Sequence, residues 1–311
     1  MKNWITTGLG LFIVVATIGT AADELVLKPV KIAPDMYAVI GDLGAPTFEN
    51  YGQNANLGFI VTTEGVVAIN SGANVLVAKA FHTAIQSVTK QPVKYLINVN
   101  SRPHYWLGNA YFKALNIPII AHKEADRLMQ NTGLMALSSA KQTYKERADG
   151  TELAYATELM DDKREITLGN LTIQVLSFGT AHSPGDVVVW IPSRKVLFAG
   201  DLVFTDRLLG VLPNGSSNGW VKAFDAAMAL KPAIIAPGHG KSTTLKQAKT
   251  DTRDYLAYLR SNALIILKQG GSSQDAADKI DQSQFKHLPM FETWARRNAS
   301  QVFSEIEQEM F

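Results

Sequence analysis

Apolar residues along this chain fall into short unbroken runs and into stretches with helical spacing, and the two patterns interleave. Runs at 25–31 and 36–40 predict two strands. Residues 57–61 and 65–69 predict a hairpin across Thr62-Thr63-Glu64-Gly65, and Val75, Leu76, Ala80, Phe81 and Ile85 set a helix over 73–90. A strand over 92–99 runs into a polar loop, 98–104, with a helix opening near 105–108. A short strand at 118–121 precedes a polar helix over 123–147. Runs at 164–169 and 171–178 pair around Gly169-Asn170, and runs at 187–191 and 195–198 pair around Pro192-Ser193. A helix over 217–230 and a strand over 233–236 close this part.

From about Ser242 the pattern is helical only. A long helix is predicted over 245–268, broken by Gly270-Gly271-Ser272-Ser273, where Ser273 caps a further helix over 274–280. After a second break at 287–289 comes a last helix, 292–310, with Trp294, Ala295, Val302, Phe303 and Ile306 facing inward. The expected division is 1–22, 23–244 and 245–311. The spacing leaves two roles open for the last part: packing on the domain, or a homodimer contact.

Composition narrows the class. Of 311 residues 46% are hydrophobic and 19% charged, which is the balance of a folded chain rather than a disordered one. The net charge of +2, with no block of like charges, gives no electrostatic footprint for nucleic acid. Without cysteine there is no disulfide, thiolate ligand or lipid-anchoring thiol. Lys2, the uncharged stretch 5–18 and small residues at 19–22 read as a cleaved signal peptide. The alternative, a membrane anchor, falls short of the ~20 apolar residues a span requires. The expected location is periplasmic or secreted, with no integral span after cleavage.

Four segments place polar residues just beyond apolar strands: Tyr95 to Phe112 (YLINVNSRPHYWLGNAYF), Gly179 to Asp186 (GTAHSPGD), Leu197 to Asp201 (LFAGD) and Ala236 to Gly240 (APGHG). In this order they resemble the metal-binding motifs of the metallo-β-lactamase superfamily. Asn56-Leu57-Gly58-Phe59 and Arg296-Arg297-Asn298 resemble its periplasmic quinoprotein relay system zinc metallohydrolases. The resemblance implies an α/β (α+β) fold, an αββα sandwich of two mixed β-sheets flanked by helices, plus a C-terminal helical tail. It implies metal ligands at His182, Asp201 and His239. It also shows what has changed. Aligned on Pro103 and Leu107-Gly108-Asn109, four ligand positions of the family's seven hold Asn100, Arg102, His104 and Tyr105. Asn70 stands where the family has an Asp that holds the ligand loop.

The substitutions have physical consequences. Asn100 offers a weak amide oxygen. Arg102 is permanently protonated and has no lone pair to give. At ~4 Å a guanidinium opposes a cation by a few kcal/mol even at an effective dielectric of ~20. A first metal on Asn100, Arg102, His182 and Asp201 is therefore not expected. Tyr105 is a poor ligand unless deprotonated, whereas His104 is a competent one. His104, Asp201 and His239, with or without His182, would hold one zinc with a position left for water.

Three readings follow. One is a metal-free pseudo-hydrolase in which Arg102 replaces the metal's charge, pairs with Asp201 and helps bind a small anionic or carbonyl ligand. The second is a mononuclear hydrolase of an ester, thioester or lactam, working through His104, Asp201 and His239. The third is a non-catalytic interaction protein. The cofactor expectation is accordingly none or one zinc. His104 or His182 would serve as general base if neutral. Ser101 and Ser183 read as loop residues, His82 and Trp220 as packing, Trp106 as core or pocket wall, His122 as structural and His287 as exposed.

Overall fold

The computed structural model describes residues 25–310, so the expected signal peptide lies outside the described residues. Two sheets form the centre. The first has seven strands in the order β1 (Val30–Ala33), β2 (Met36–Val39), β3 (Leu57–Val61), β4 (Val66–Ile69), β5 (Val93–Ile97), β6 (Ile119–His122) and β7 (Glu158–Met160). β1 to β4 pair antiparallel and β4 to β7 pair parallel. The second runs β12 (Ile234–His239), β11 (Val196–Phe204), β10 (Val188–Ile191), β9 (Leu171–Leu176), β8 (Lys163–Leu168), with only β11 and β12 parallel. Both sheets are mixed, and helices cover their outer faces, as the sequence led us to expect.

The sheets meet through apolar, mostly β-branched side chains. Ile60, Val67, Ile69, Ile97 and Ile120 pack with Ile173, Val175, Val189, Ile191 and Phe198. Each such burial stabilises by about 1.5–3 kcal/mol. On the outer face of the first sheet lie α1 (Val75–Val88), α2 (Pro103–Trp106), α3 (Asn109–Ala114) and α4 (Lys123–Tyr144). Asn74 starts α1 by accepting the Val77 N–H at 3.0 Å, and Phe81 meets both Phe59 and Phe112 edge-on. His122 caps α4 by accepting the Glu124 N–H at 3.1 Å, the structural role expected of it.

The outer face of the second sheet carries α5 (Ser217–Met228), α6 (Leu245–Ala248), α7 (Tyr255–Lys268), α8 (Ser273–Lys279) and α9 (Phe291–Met310). Tyr255, Leu256, Leu259, Val302 and Phe303 share one core with Leu202, Phe204 and Trp220. The helical tail thus packs on the sandwich. No helix among the described residues is long and apolar enough to cross a membrane.

Several boundaries differ from the sequence reading. α2 opens at Pro103 rather than near 105, because proline suits the first helical position. The cap of α8 is Ser272, not Ser273, in a reciprocal box with Asp275. The predicted helix over 245–268 contains a π-helical turn, Lys249–Asp254. β7 was not anticipated, and β11 extends to Phe204.

Candidate functional site

The polar loop after β5 is fixed from below by amides. Asn98 and Asn109 exchange hydrogen bonds at 3.1 and 2.8 Å, and the Ser71 hydroxyl donates to Asn109 at 2.9 Å. Asn70 sits at φ +65°, a conformation that asparagine tolerates better than most residues. Its Oδ1 accepts the Val99 N–H at 3.0 Å, and its Nδ2 donates to the Asn56 carbonyl at 3.3 Å. The loop is therefore held without the negative charge that an aspartate would supply.

Asp201, within β11, lies at the centre and is 2% exposed. Its Oδ1 accepts the Tyr105 hydroxyl at 2.6 Å, and its Oδ2 accepts Asn100 Nδ2 at 2.9 Å. His239 Nε2 stands 3.3 Å from Oδ1 and His182 Nδ1 stands 3.4 Å from Oδ2. Gly238 permits this approach, since a Cβ there would collide with the Tyr105 hydroxyl and Asp201 Oδ1.

The expected pairing of Arg102 with Asp201 is not made. Both carboxylate oxygens are already taken, by the side chains at two other substituted positions. Arg102 is also held extended in front of Pro103. Its side chain makes no hydrogen bond or ion pair with any described residue, although it feels the charges of Asp201 and Asp186. Instead it lines a cavity of about 370 Å³ beside the site, together with His104.

His239 closes the other side. Its Nδ1 lies 2.6 Å from the Asn54 carbonyl and 3.2 Å from an Arg207 nitrogen, and its Nε2 faces Asp201 Oδ1 at 3.3 Å. Phe204 stacks on this ring at 4.6 Å. Burial lowers the His239 pKa below its ordinary value. It lowers His104 much further and brings His182 to about 4, so all three imidazoles are neutral at pH 7. Burial, with the Asp201 charge, raises the Tyr105 hydroxyl well above its usual range, which keeps it a donor. Burial works against the Asp201 charge, but its histidine neighbours outweigh that and hold the carboxyl well below the usual carboxylate range.

Two charged residues of the site had no assigned role in the sequence reading. Arg207 is buried, donates to the Gly44 carbonyl at 3.2 Å, and lies 3.2 Å from His239 Nδ1. No motif marks it; only its place just beyond β11 could have drawn notice. Asp186, the last residue of the GTAHSPGD segment, accepts the Ser183 N–H at 2.7 Å and its hydroxyl at 2.9 Å. Burial pushes its carboxyl up to about 7.

The donor set decides what a metal would meet. At the first position, Asn100 turns its N–H toward Asp201, and Arg102 supplies a cation. That pair does not fit a dication. At the second, one donor atom each of His104, Asp201 and His239 lie within 4.8 Å of one another. His104 Nε2 is buried without a hydrogen-bond partner, and His239 Nε2 faces Asp201 Oδ1 at 3.3 Å. This trio fits one zinc, with His182 outside it. The remaining candidates are structural. His82 contacts the Tyr111 hydroxyl at 2.9 Å. The indoles of Trp106 and Trp220 donate to the Ser101 and Leu202 carbonyls. His287 is exposed.

Residues 103–239 match the model of the metallo-beta-lactamase superfamily. The metallo-beta-lactamase IND-1 of Chryseobacterium indologenes is 24% identical over 232 residues, 70% of this chain and 82% of the relative. Among solved structures, a metallo-beta-lactamase from Pontibacter korlensis superposes at TM-score 0.61 and 18% identity, covering 74% of this chain and 99% of that one. The sec-alkylsulfatase Pisa1 from Pseudomonas sp. gives TM-score 0.67 at 16% identity, over 89% of this chain and 50% of its own. These structural likenesses establish the fold.

Proposed function

We propose that this protein is a pseudo-hydrolase of the metallo-β-lactamase fold that binds a small anionic or carbonyl ligand without a dinuclear metal centre. One observation carries the reading: Asn100 and Tyr105, at positions where the family places histidine ligands, each donate to one oxygen of Asp201. The carboxylate that would bridge two metals is satisfied by hydrogen bonds of the chain itself. Arg102 and the buried Arg207 add positive charge where a full site would hold cations, which favours an anion. Export to the periplasm or the medium belongs to the same proposal and rests on Lys2 and the apolar stretch 5–18.

A second reading has its own support. The convergence of His104, Asp201 and His239 suits one zinc, which when bound would lower the pKa of a water. In that case the neighbours' names point to hydrolysis of a lactam or an ester-like bond.

Metal content separates the two readings. The mature protein is purified without chelator, supplied with zinc and measured by elemental analysis. Our reading expects well under one equivalent and a melting temperature indifferent to zinc and chelator. About one equivalent, lost in His239→Ala, would establish the mononuclear reading instead.

A further inference from the structure

The cavity that Arg102 lines has a composition that restricts its occupant. It lies between the loop after β5 and the length of α4. Pro46, Leu107, Leu128, Met135, Ala136 and Ala140 give it apolar walls. Ser101, Thr132, Ser139, Thr143 and Asn214 add neutral polar groups. Arg102 is the one arginine, and no lysine, aspartate or glutamate stands among the described lining residues. Its volume of about 370 Å³ lies within the ~300–1,000 Å³ typical of small-molecule sites.

Three features of chemistry follow. A guanidinium without an internal partner presents a planar fork that matches one carboxylate through two parallel hydrogen bonds. No second cation in the lining would meet a second negative charge, and no carboxylate there would meet an ammonium group. The apolar walls along α4 then favour a hydrocarbon portion several carbons long. We infer that this cavity binds an amphipathic monocarboxylate, its head on Arg102 and its chain along α4. The inference rests on the anion-binding reading above and names the class of ligand.

Calorimetric titration of the full mature protein with octanoate tests it, with octanamide, butanoate and octanedioate as comparisons. Octanoate is expected to bind at least tenfold more tightly than octanamide, which keeps the chain and loses the charge. Butanoate, too short for the walls, and octanedioate, with a second charge, are expected to be weaker as well. Arg102→Gln should weaken octanoate at least tenfold, with Arg102→Lys intermediate. Ser139→Phe, at an exposed position on α4, should block the chain while leaving the melting temperature unchanged. Equal affinity of octanoate for the wild type and Arg102→Gln overturns the inference, as does no binding to the folded wild type.

Zinc measured on the same sample keeps the two claims apart. Metal-free protein that ignores octanoate overturns the ligand class alone. One equivalent of zinc with Arg102-dependent octanoate binding overturns the metal-poor reading alone.

Discussion

His182 and Asp186 both precede Asp201 in the chain and lie near it in the fold, and burial shifts their pKa values in opposite directions. The folded pKa of Asp186, about 7, lies above its ordinary value of 3.8. Between those values the folded chain keeps a proton that the unfolded chain has released, so this contribution to stability falls as pH rises through the window. The folded pKa of His182, about 4, lies below its ordinary 6.5. Its contribution is present above pH 6.5 and is lost as pH falls toward 4. Between about pH 4 and 6.5 the two slopes oppose each other. Asp186→Asn removes the first and leaves the second. The expected outcome is a variant whose melting temperature gains most over the wild type at pH 8, with the gain shrinking toward pH 5. Thermal melts at pH 5, 6.5 and 8 check this; an equal offset at all three would mean that Asp186 does not titrate on unfolding. The sequence placed Asp186 in a motif but could not show its burial, because that depends on β5 and β11 meeting over it. For the same reason the partner of Asp201 was misjudged. Charge alone nominated Arg102, whereas the loop delivers the short amide of Asn100 and the phenol of Tyr105 first.

The elements were legible where periodicity was strong and local. The hairpin strands, α1, α5 and α9 fall within a few residues of the apolar pattern. What escaped was non-local. β7, three residues long, exists because it pairs with β6, and nothing in Glu158–Met160 alone announces it. The π-helical turn at Lys249–Asp254 likewise has a tertiary cause. It brings Thr252 against the end of β11, where the hydroxyl accepts the Phe204 N–H at 3.0 Å and donates to the Phe204 carbonyl at 2.8 Å. Phe204 in turn stacks on His239. A helix of the tail therefore supports the ring that turns its Nε2 toward Asp201. Thr252→Val keeps the shape and removes both bonds, leaving a buried N–H and C=O unpaired. The expected cost is about 2 kcal/mol, since an unsatisfied buried group costs about 1–3 kcal/mol. It would be read as a lower urea midpoint at unchanged m-value. A midpoint within error of the wild type would show that the turn does not depend on Thr252.

At the scale of the molecule, the site is a seam. Asn100, Arg102, His104 and Tyr105 follow β5 of the first sheet, while Asp201 and His239 belong to β11 and β12 of the second. Asn56 bolts the seam, donating to the Pro237 and Gly240 carbonyls at 2.8 and 2.7 Å and accepting the Gly41 N–H at 3.0 Å. The Asn98–Asn109 exchange and Asn70 hold the loop from the other side. None of these contacts involves a substituted ligand position. The scaffold that would aim ligands is thus independent of the residues now aimed, and this is why the fold was readable from motifs whose ligands had changed. Restoring the family's residues tests that independence. The variant Asn100→His, Arg102→His, His104→Asp, Tyr105→His removes both donors from Asp201, takes away one guanidinium, and returns four ligand-type side chains to the loop. It is expected to take up about two equivalents of zinc by elemental analysis and to melt higher with zinc than with chelator, because a ligand that binds only the folded state stabilises it. Arg207 remains beside His239 in this variant and opposes the second ion. Uptake that reaches two only when Arg207→Gln is added would assign the remaining barrier to that cation. A folded variant that takes up no zinc in either background would show that the seam itself, and not the four side chains, has changed shape.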